Sequence, residues 1–132
     1  MQNLTTTQKL LILALAWFVL SGGSIGGVAP PFKTDTLSVL VVEETDEATL
    51  KSEAAIDAVK DAVTQAKGRY RRLDKDQTDL SKDDLWVQDA WKAKGETVPW
   101  VVGATPRSGV SKALPVDSRE AAVGTLAPLG VK

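Results

Sequence analysis

Residues 37–42 read Leu-Ser-Val-Leu-Val-Val, a nearly unbroken apolar run that is rich in β-branched side chains. Such a run is typical of a strand buried on both faces, as in the centre of an α/β sheet. The next residues, Glu43-Glu44-Thr45-Asp46, are polar and end the strand at once. The stretch 37–46 therefore predicts an α/β domain whose first strand lies inside its sheet.

Helices and strands alternate after this first strand. Apolar residues three and four apart between Glu47 and Ala66 form one stripe, which predicts a helix capped by Thr45 or Asp46 and stopped by Gly68. The remaining predicted elements are a short strand at Arg69–Leu73, a helix at about Lys82–Lys94 with Ser81 and Asp84 as a capping box, a strand at Val98–Val102, an edge strand at Val110–Leu114, and a final helix from Asp117 or Ser118 to about Ala127. The predicted order is β-α-β-α-β-β-α.

The third predicted strand opens on Thr97-Val98-Pro99, and proline is tolerated at the first residue of a strand. With the element order, this proline makes Leu37–Gly130 resemble the thioredoxin fold, because Val98-Pro99 matches the place where thioredoxin-like proteins carry a cis-proline. The resemblance implies a thioredoxin-like domain.

A second resemblance concerns a narrower group of proteins. The residues that carry it are Val41-Val42-Glu43-Glu44-Thr45, then Val98–Val102, Gly109 and Leu114-Pro115. In these the chain resembles small, uncharacterised, membrane-anchored thioredoxin-like proteins of bacteriophages and some bacteria. This likeness implies a fold and a viral or bacterial setting, and it brings no known activity.

The N-terminal region contains a long uncharged segment. Leu10–Ala29 reads LLILALAWFVLSGGSIGGVA, and about twenty such residues suffice for a transmembrane helix. Only Leu10–Leu20 is strongly apolar, so the segment also fits a secretory signal, with Ser24 and Gly26 as small residues before a cleavage site. We favour an uncleaved membrane anchor over a cleaved signal, and we favour either of these over a buried helix of a soluble domain.

The flanking charges predict the orientation of the chain. Lys9 precedes the segment and Lys33 is soon offset by Asp35, which favours a cytoplasmic N-terminus and a C-terminal domain outside. The predicted location is the inner membrane of a bacterium or bacterial host, with secretion as the alternative after signal cleavage. Gly22 and Gly26 have the small-xxx-small spacing of pairing helices, although glycines also mark a helix end.

These predictions together define the organisation of the chain. They place a cytoplasmic N-terminus at 1–9, an anchor or signal at 10–29, a short stiff linker at 30–36 and a thioredoxin-like soluble domain at 37–132.

Composition excludes several classes of function. The chain has 16 basic and 17 acidic residues, a formal net charge of −1, so no excess of positive charge predicts nucleic-acid binding. It has no cysteine and no histidine, which excludes thiol redox chemistry, the usual zinc sites and histidine-based triads. Glu43 and Glu44 are adjacent, and on a strand they would point to opposite faces, which argues against paired-carboxylate catalysis. We therefore expect neither an enzyme nor a cofactor.

The candidate site comes from the thioredoxin resemblance. In redox-active members two cysteines follow the first strand and face the cis-proline, and that position here is occupied by residues 43–46. Without thiols the same surface still suits an extended peptide that adds a strand beside the proline. The candidate contact residues are Glu43, Glu44, Thr45, Pro99 and Trp100. The alternative is that the acidic pair only precedes a helix and Pro99 only shapes a turn.

Asp74, Asp76 and Asp79 make a weak candidate for a metal site. The spacing begins like an EF-hand calcium loop, but Asp79 stands where that loop needs glycine and Leu85 stands where it needs glutamate. A solvated turn is the favoured interpretation, with a calcium site of another kind as the alternative.

The leading functional hypothesis combines the membrane segment with the cysteine-free domain. It is a single-pass membrane protein whose thioredoxin-like domain acts as a non-catalytic interaction or scaffold module, with the lipid bilayer and a protein or peptide as partners. The alternative hypothesis is a small phage lysis or membrane-remodelling protein, similar to a holin or a spanin.

Overall fold

The structure is a computed structural model that describes residues 29–77 and 79–131. This part of the chain forms a mixed α/β fold with a four-stranded mixed sheet and three α-helices. The strands are β1 (Ser38–Glu43), β2 (Arg69–Asp74), β3 (Trp100–Ala104) and β4 (Gly109–Ala113), and the helices are α1 (Leu50–Gln65), α2 (Leu85–Lys92) and α3 (Arg119–Gly124). Single 3-10 turns occupy Thr45–Glu47 and Ala127–Leu129. The order of strands and α-helices is the predicted one.

The sheet order is β2-β1-β3-β4, with β1 parallel to β2 and the other neighbours antiparallel. All six residues of β1 are buried, as predicted for a central strand. The register aligns Arg69, Ser38, Ala104 and Gly109 at one end of the sheet, which we call the linker end. Glu43 and its partner Asp74 lie at the opposite end, the Glu43 end.

Two hydrophobic cores lie on the two faces of the sheet. Val39 and Val41 of β1 pack with α1, α3 and the residues after α3. Leu40 and Val42, pointing the other way, pack with α2. Burying a valine or leucine side chain contributes about 1.5–3 kcal/mol, so β1 stabilises both layers at once.

Helix α1 begins later than the sequence predicts. Its N-cap is Thr49, whose Oγ1 accepts the Ser52 N–H at 3.1 Å while Ser52 Oγ accepts the Thr49 N–H at 2.8 Å. The predicted caps, Thr45 and Asp46, are wrong because these residues form a 3-10 turn. This turn lengthens the connection between β1 and α1 and carries it across the Glu43 end.

Of the predicted caps of α2 and α3, the one of α3 is confirmed and the one of α2 is wrong. Ser118 caps α3 by accepting the Ala121 N–H at 3.0 Å, as predicted. The predicted Ser81/Asp84 capping box is wrong, because Asp84 is the N-cap of α2 without a side-chain bond. The Ser81 N–H instead donates to Asp79 at 2.9 Å.

The residues before β1 pack along the linker end of the sheet. Pro31 lies so close to Gly109 that a Cβ at that glycine would overlap the proline ring. Phe32 is only 6% exposed and stacks on Trp86 with ring centroids 5.9 Å apart. Residues 29–37, which include the predicted linker, therefore form a strap held against the folded part, and we use that name below.

Arg69 holds the other side of the strap. Its Nη2 donates to Thr34 Oγ1 at 2.8 Å and to Asp35 Oδ1 at 3.1 Å, and its Nε donates to Ser38 Oγ at 3.1 Å. The guanidinium also lies over the Trp86 ring, 5.6 Å from its centroid. The strap thus contacts β4, α2 and β2 in turn.

The predicted anchor at 10–29 lies outside the described residues except for Ala29, and the proposed helix pairing through Gly22 and Gly26 lies outside them as well. None of the helices formed by residues 29–77 and 79–131 combines the length and hydropathy that crossing a bilayer requires.

Candidate functional site

A small cavity opens at the Glu43 end, between the turn after β1, the start of α1 and the segment before β3. Its volume is about 60 Å³, and its lining residues are Glu43, Glu44, Glu47, Ala48, Ser52, Ile56, Val98 and Pro99. Pockets for small ligands measure about 300–1,000 Å³. This cavity therefore suits one side chain of a bound segment, or a few water molecules, better than a free small molecule.

The Val98–Pro99 peptide bond is cis and forms one wall of this cavity. The Pro99 carbonyl accepts the Leu114 N–H at 2.9 Å, which attaches this wall to the chain after β4. Val98 precedes β3 and makes no backbone–backbone hydrogen bond to any residue in the described ranges. Its N–H and C=O groups therefore have no backbone partner in the described ranges, and they lie next to the cavity.

Glu43 is the most buried acidic residue of the site, at 7% exposure. Its Oε2 accepts hydrogen bonds from Arg72 Nε at 2.9 Å and from Thr45 Oγ1 at 3.3 Å. The same arginine donates through Nη2 to Glu53 Oε2 at 2.6 Å, and its hydrogen bonds to the two carboxylates raise the pKa of Arg72. Glu43 thus belongs to an internal ion network that ties β1 and β2 to α1.

Glu44 provides the unsatisfied carboxylate of the site. Its Oε1 is buried and has no hydrogen-bond partner within the described ranges. Desolvation raises the pKa of Glu44, the nearby Asp76 and Asp74 raise it further, and Lys75 opposes them. The expectation that Glu43 and Glu44 face opposite sides assumed that both lie on a strand, but β1 ends at Glu43, and both residues line the cavity.

Asp74 fixes the position of the turn after β1. Its Oδ2 accepts the Thr45 N–H at 2.9 Å and its Oδ1 accepts the Asp76 N–H at 2.8 Å. These hydrogen bonds, first of all those from Thr45, lower the pKa of Asp74 to about 2. The end of β2 is thereby joined to the turn that carries the candidate site.

Three carboxylates of this region could supply ligands to a cation. Glu44, Asp74 and Asp76 each offer one oxygen, and these oxygens all lie within 4.8 Å of one another. Carboxylate oxygens suit hard cations such as Ca²⁺. Asp79, the third residue of the predicted set, is outside this group, and hydrogen bonding to Ser81 lowers its pKa. The hydrogen bonds of Asp74 to the backbone already account for the shape of this turn.

The predicted site residues do not all meet. Trp100 lies on the α2 side of the sheet, where its Nε1 donates to Ser111 Oγ at 2.9 Å and its ring covers Gly95. It takes no part in lining the cavity. Of the other predicted residues, Glu43, Glu44 and Pro99 line the cavity and Thr45 adjoins it.

Several cavity residues were missed by reasoning from sequence. Ala48, Ser52 and Ile56 follow one another at intervals of four, which places them along one side of a helix and its entry. That spacing was visible in the sequence, but it indicates a core-facing stripe equally well. Glu47 and Val98 carried no signal beyond their proximity to the predicted residues.

A larger and more open groove of about 620 Å³ runs between α1 and α3. Its rim includes Asp61 and Arg119, which pair with each other at 3.4 Å. The rest of its lining is mainly small apolar side chains, with Gln65 and Glu120 as the other polar residues.

No protein-family model, curated protein or solved structure matches this chain.

Proposed function

We propose that this chain is a membrane-anchored, non-catalytic thioredoxin-like module that binds an extended segment of a partner protein at its Glu43 end. The thioredoxin resemblance is supported by the element order and by the cavity that Val98 and Pro99 share with the turn after β1. Redox-active relatives of that fold would carry their cysteines in this turn. This chain has no cysteine, so the proposed role is binding without thiol exchange.

The observation that carries the proposal is that Val98, which lines the cavity, makes no backbone–backbone hydrogen bond in the described ranges. An extended segment can pair with this peptide group as an added strand, which supplies affinity through the main chain. One of its side chains then enters the cavity beside Glu43 and Glu44, which supplies specificity. Glu43 is already paired with Arg72, whereas the buried Glu44 Oε1 has no hydrogen-bond partner in the described ranges, so a side chain with hydrogen-bond donors fits best beside Glu44.

Site-directed crosslinking tests the binding surface. The chain has no cysteine, so Asp46→Cys gives a single attachment point for a photoactivatable crosslinker at the Glu43 end. Asp46 is exposed and forms no ion pair with a described residue, so the site network stays intact. The matched control is Thr64→Cys, an exposed position on α1.

The full chain is labelled and irradiated in membranes of cells that express it. We expect a defined protein adduct from position 46 that is absent from position 64 and is lost when Glu44→Lys is added. Identical adducts from both positions, or none from position 46, would overturn the proposed binding surface.

Two simpler measurements test the rest of the proposal. Alkaline extraction of membranes and mass spectrometry of the mature N-terminus test whether residues 10–29 stay as an anchor. Inducible expression in a bacterium tests the alternative from the sequence, since prompt lysis or depolarisation would favour a lysis protein over an interaction module.

A further inference from the structure

The strap fixes the direction in which the chain enters the folded part. Pro31 packs on Gly109 of β4, Phe32 packs on Trp86 of α2, and Thr34 accepts a hydrogen bond from Arg69 of β2. Contacts on three separate elements leave little freedom to rotate the folded part about the strap. The orientation of the domain relative to the chain at Ala29 is therefore set by packing.

Exposed cations surround the strap at the linker end. Lys33 lies in the strap, Lys67 in the turn between α1 and β2, and Arg107 in the turn between β3 and β4. The sheet register brings these three segments to the same end, because Arg69, Ser38, Ala104 and Gly109 form one row. Within the described ranges, none of the three cations forms an ion pair.

The opposite end of the sheet carries the opposite charge. Besides Glu43, which is paired with Arg72, the acidic residues there are Glu44, Asp46, Glu47, Asp74 and Asp76, and Lys75 in the same turn pairs with Asp76 at 3.8 Å. At the linker end, Asp35 is paired with Arg69 at 3.1 Å, which leaves Lys33, Lys67 and Arg107 as the excess charge there. Although the net charge of the chain is only −1, the sheet therefore has an excess of positive charge at the strap and of negative charge at the Glu43 end.

We propose that the linker end is a membrane-contact surface, in which Lys33, Lys67 and Arg107 bind anionic lipid headgroups and hold the Glu43 end away from the bilayer. The occupant follows from the chain itself, since the predicted anchor ends at Ala29, where the strap begins. Basic groups beside a membrane segment are attracted to anionic headgroups within about one Debye length, roughly 8–10 Å. This inference rests on the membrane anchor of the proposed function, but it does not depend on the peptide site.

Two further features fit this orientation. Leu85 opens α2 beside Trp86, which contacts the strap, and it is 71% exposed, so an apolar side chain is available to enter the interfacial region. The acidic Glu43 end would be repelled by the same headgroups. Attraction at one end and repulsion at the other favour one orientation of the domain.

Energy transfer from the two ends to the lipid measures this orientation. The full chain is reconstituted into vesicles of phosphatidylcholine alone, or of phosphatidylcholine mixed with phosphatidylglycerol, with an acceptor dye on the headgroups. A donor dye is placed on Pro106→Cys at the linker end or on Asp46→Cys at the Glu43 end. In anionic vesicles we expect strong transfer from position 106 and weak transfer from position 46, and high salt should reduce the difference.

Charge variants identify the residues responsible. Lys33→Gln, Lys67→Asn and Arg107→Gln together should reduce the difference between the two donors to its value in phosphatidylcholine. Asparagine is chosen at position 67 because Lys67 has a φ of 62°, a left-handed backbone conformation that asparagine tolerates. The matched control removes three other exposed lysines, Lys51, Lys60 and Lys112, and should leave the difference unchanged.

The orientation experiment and vesicle flotation together test the proposed membrane-contact surface. Equal transfer from both ends in anionic vesicles, or an undiminished difference in the linker-end variant, would overturn it while leaving the anchor in place. If the chain fails to float with phosphatidylcholine vesicles, the anchor of the proposed function is lost, and flotation with anionic vesicles then tests the surface alone. Loss of that flotation in the linker-end variant but not in the control would support the surface, whereas no flotation of the unmodified chain would refute it.

Discussion

Arg72 on β2 and Glu43 on β1 form an ion pair across neighbouring parallel strands, with Nε 2.9 Å from Oε2. The Glu43 side chain is only 10% exposed and that of Arg72 is 34% exposed, so the pair is shielded on one side and reached by solvent on the other. The arginine also reaches Glu53 on α1 at 2.6 Å. Glu43, which the sequence predicts at a binding surface, therefore also belongs to an ion network that joins two strands and a helix.

Removing the Arg72 guanidinium should destabilise the protein. We expect Arg72→Met to lower the free energy of unfolding by about 1–3 kcal/mol, because Glu43 is left buried without its partner while solvent screens part of the loss. Urea unfolding measures the change. Arg119→Met is the control, since that arginine is half exposed and pairs at 3.4–3.8 Å, so the expected loss is below about 1 kcal/mol. Equal losses in the two variants would contradict the structural role of the Glu43 network.

Tyr70 should ionise well above the usual range for tyrosine. Burial raises its pKa to about 12, and its hydroxyl is buried with no hydrogen-bond partner in the described part of the chain. It is the sole tyrosine, so ultraviolet absorbance of the native protein reports its titration directly. An apparent pKa near the ordinary value of about 10 in the folded protein would contradict this environment.

The same shift predicts a loss of stability at high pH. Because the folded state holds the Tyr70 proton more tightly than the unfolded state, stability should fall between about pH 10 and pH 12. Tyr70→Phe removes both the ionisation and the unsatisfied hydroxyl. It should therefore be at least as stable as the unmodified protein at neutral pH and should lose less stability over this range.

Asp74 should make the stability of the protein depend on pH in the acidic range. Its pKa is lowered to about 2, so its contribution is present above the unfolded value of about 3.9 and is lost as pH falls through about 2. Asp74→Asn should be less stable than the unmodified protein at pH 6, and the difference should disappear towards pH 2. Chemical denaturation over this pH range measures it, with Asp46→Asn as the exposed control. A difference that stays constant with pH would rule out the hydrogen-bonded carboxylate as its cause.

Phe32 should matter to stability although it precedes the first strand. It is 6% exposed and stacks on Trp86, so we expect Phe32→Ala to cost about 2–4 kcal/mol, somewhat less than a central core phenylalanine. Leu85→Ala is the matched control on the same side of the sheet, because Leu85 is 71% exposed and should cost less than about 0.5 kcal/mol. Thermal unfolding of both variants shows whether the strap belongs to the cooperative unit, and similar small effects would show that it does not.

Much of the fold was readable from local patterns. The apolar run of β1 predicted a central strand, and Ser118, one of the two predicted caps of the last helix, is the N-cap of α3. Both signals act between residues close in sequence, through alternation of side chains and through capping of free N–H groups. The start of α1 was misread because Thr45, Asp46 and Thr49 are all suitable caps, and the 3-10 turn decides among them.

The candidate site was predictable only in outline. The resemblance to the thioredoxin fold places Glu43, Glu44 and Pro99 on one surface, and they do line one cavity. Trp100, the residue after Pro99, is predicted on the same surface. Side chains alternate along a strand, so Trp100 points to the α2 side instead.

The amino-acid sequence alone determined the central strand, the order of elements and the absence of thiol chemistry, because these depend on composition and on short periodic patterns. Tertiary structure alone decided which charges meet. Glu44 and Asp74 are thirty positions apart, and they come together because β1 and β2 are parallel neighbours that end at the same edge of the sheet. Lys33, Lys67 and Arg107 are gathered at the other edge for the same reason, since strand register, which no local pattern encodes, brings distant turns to one end.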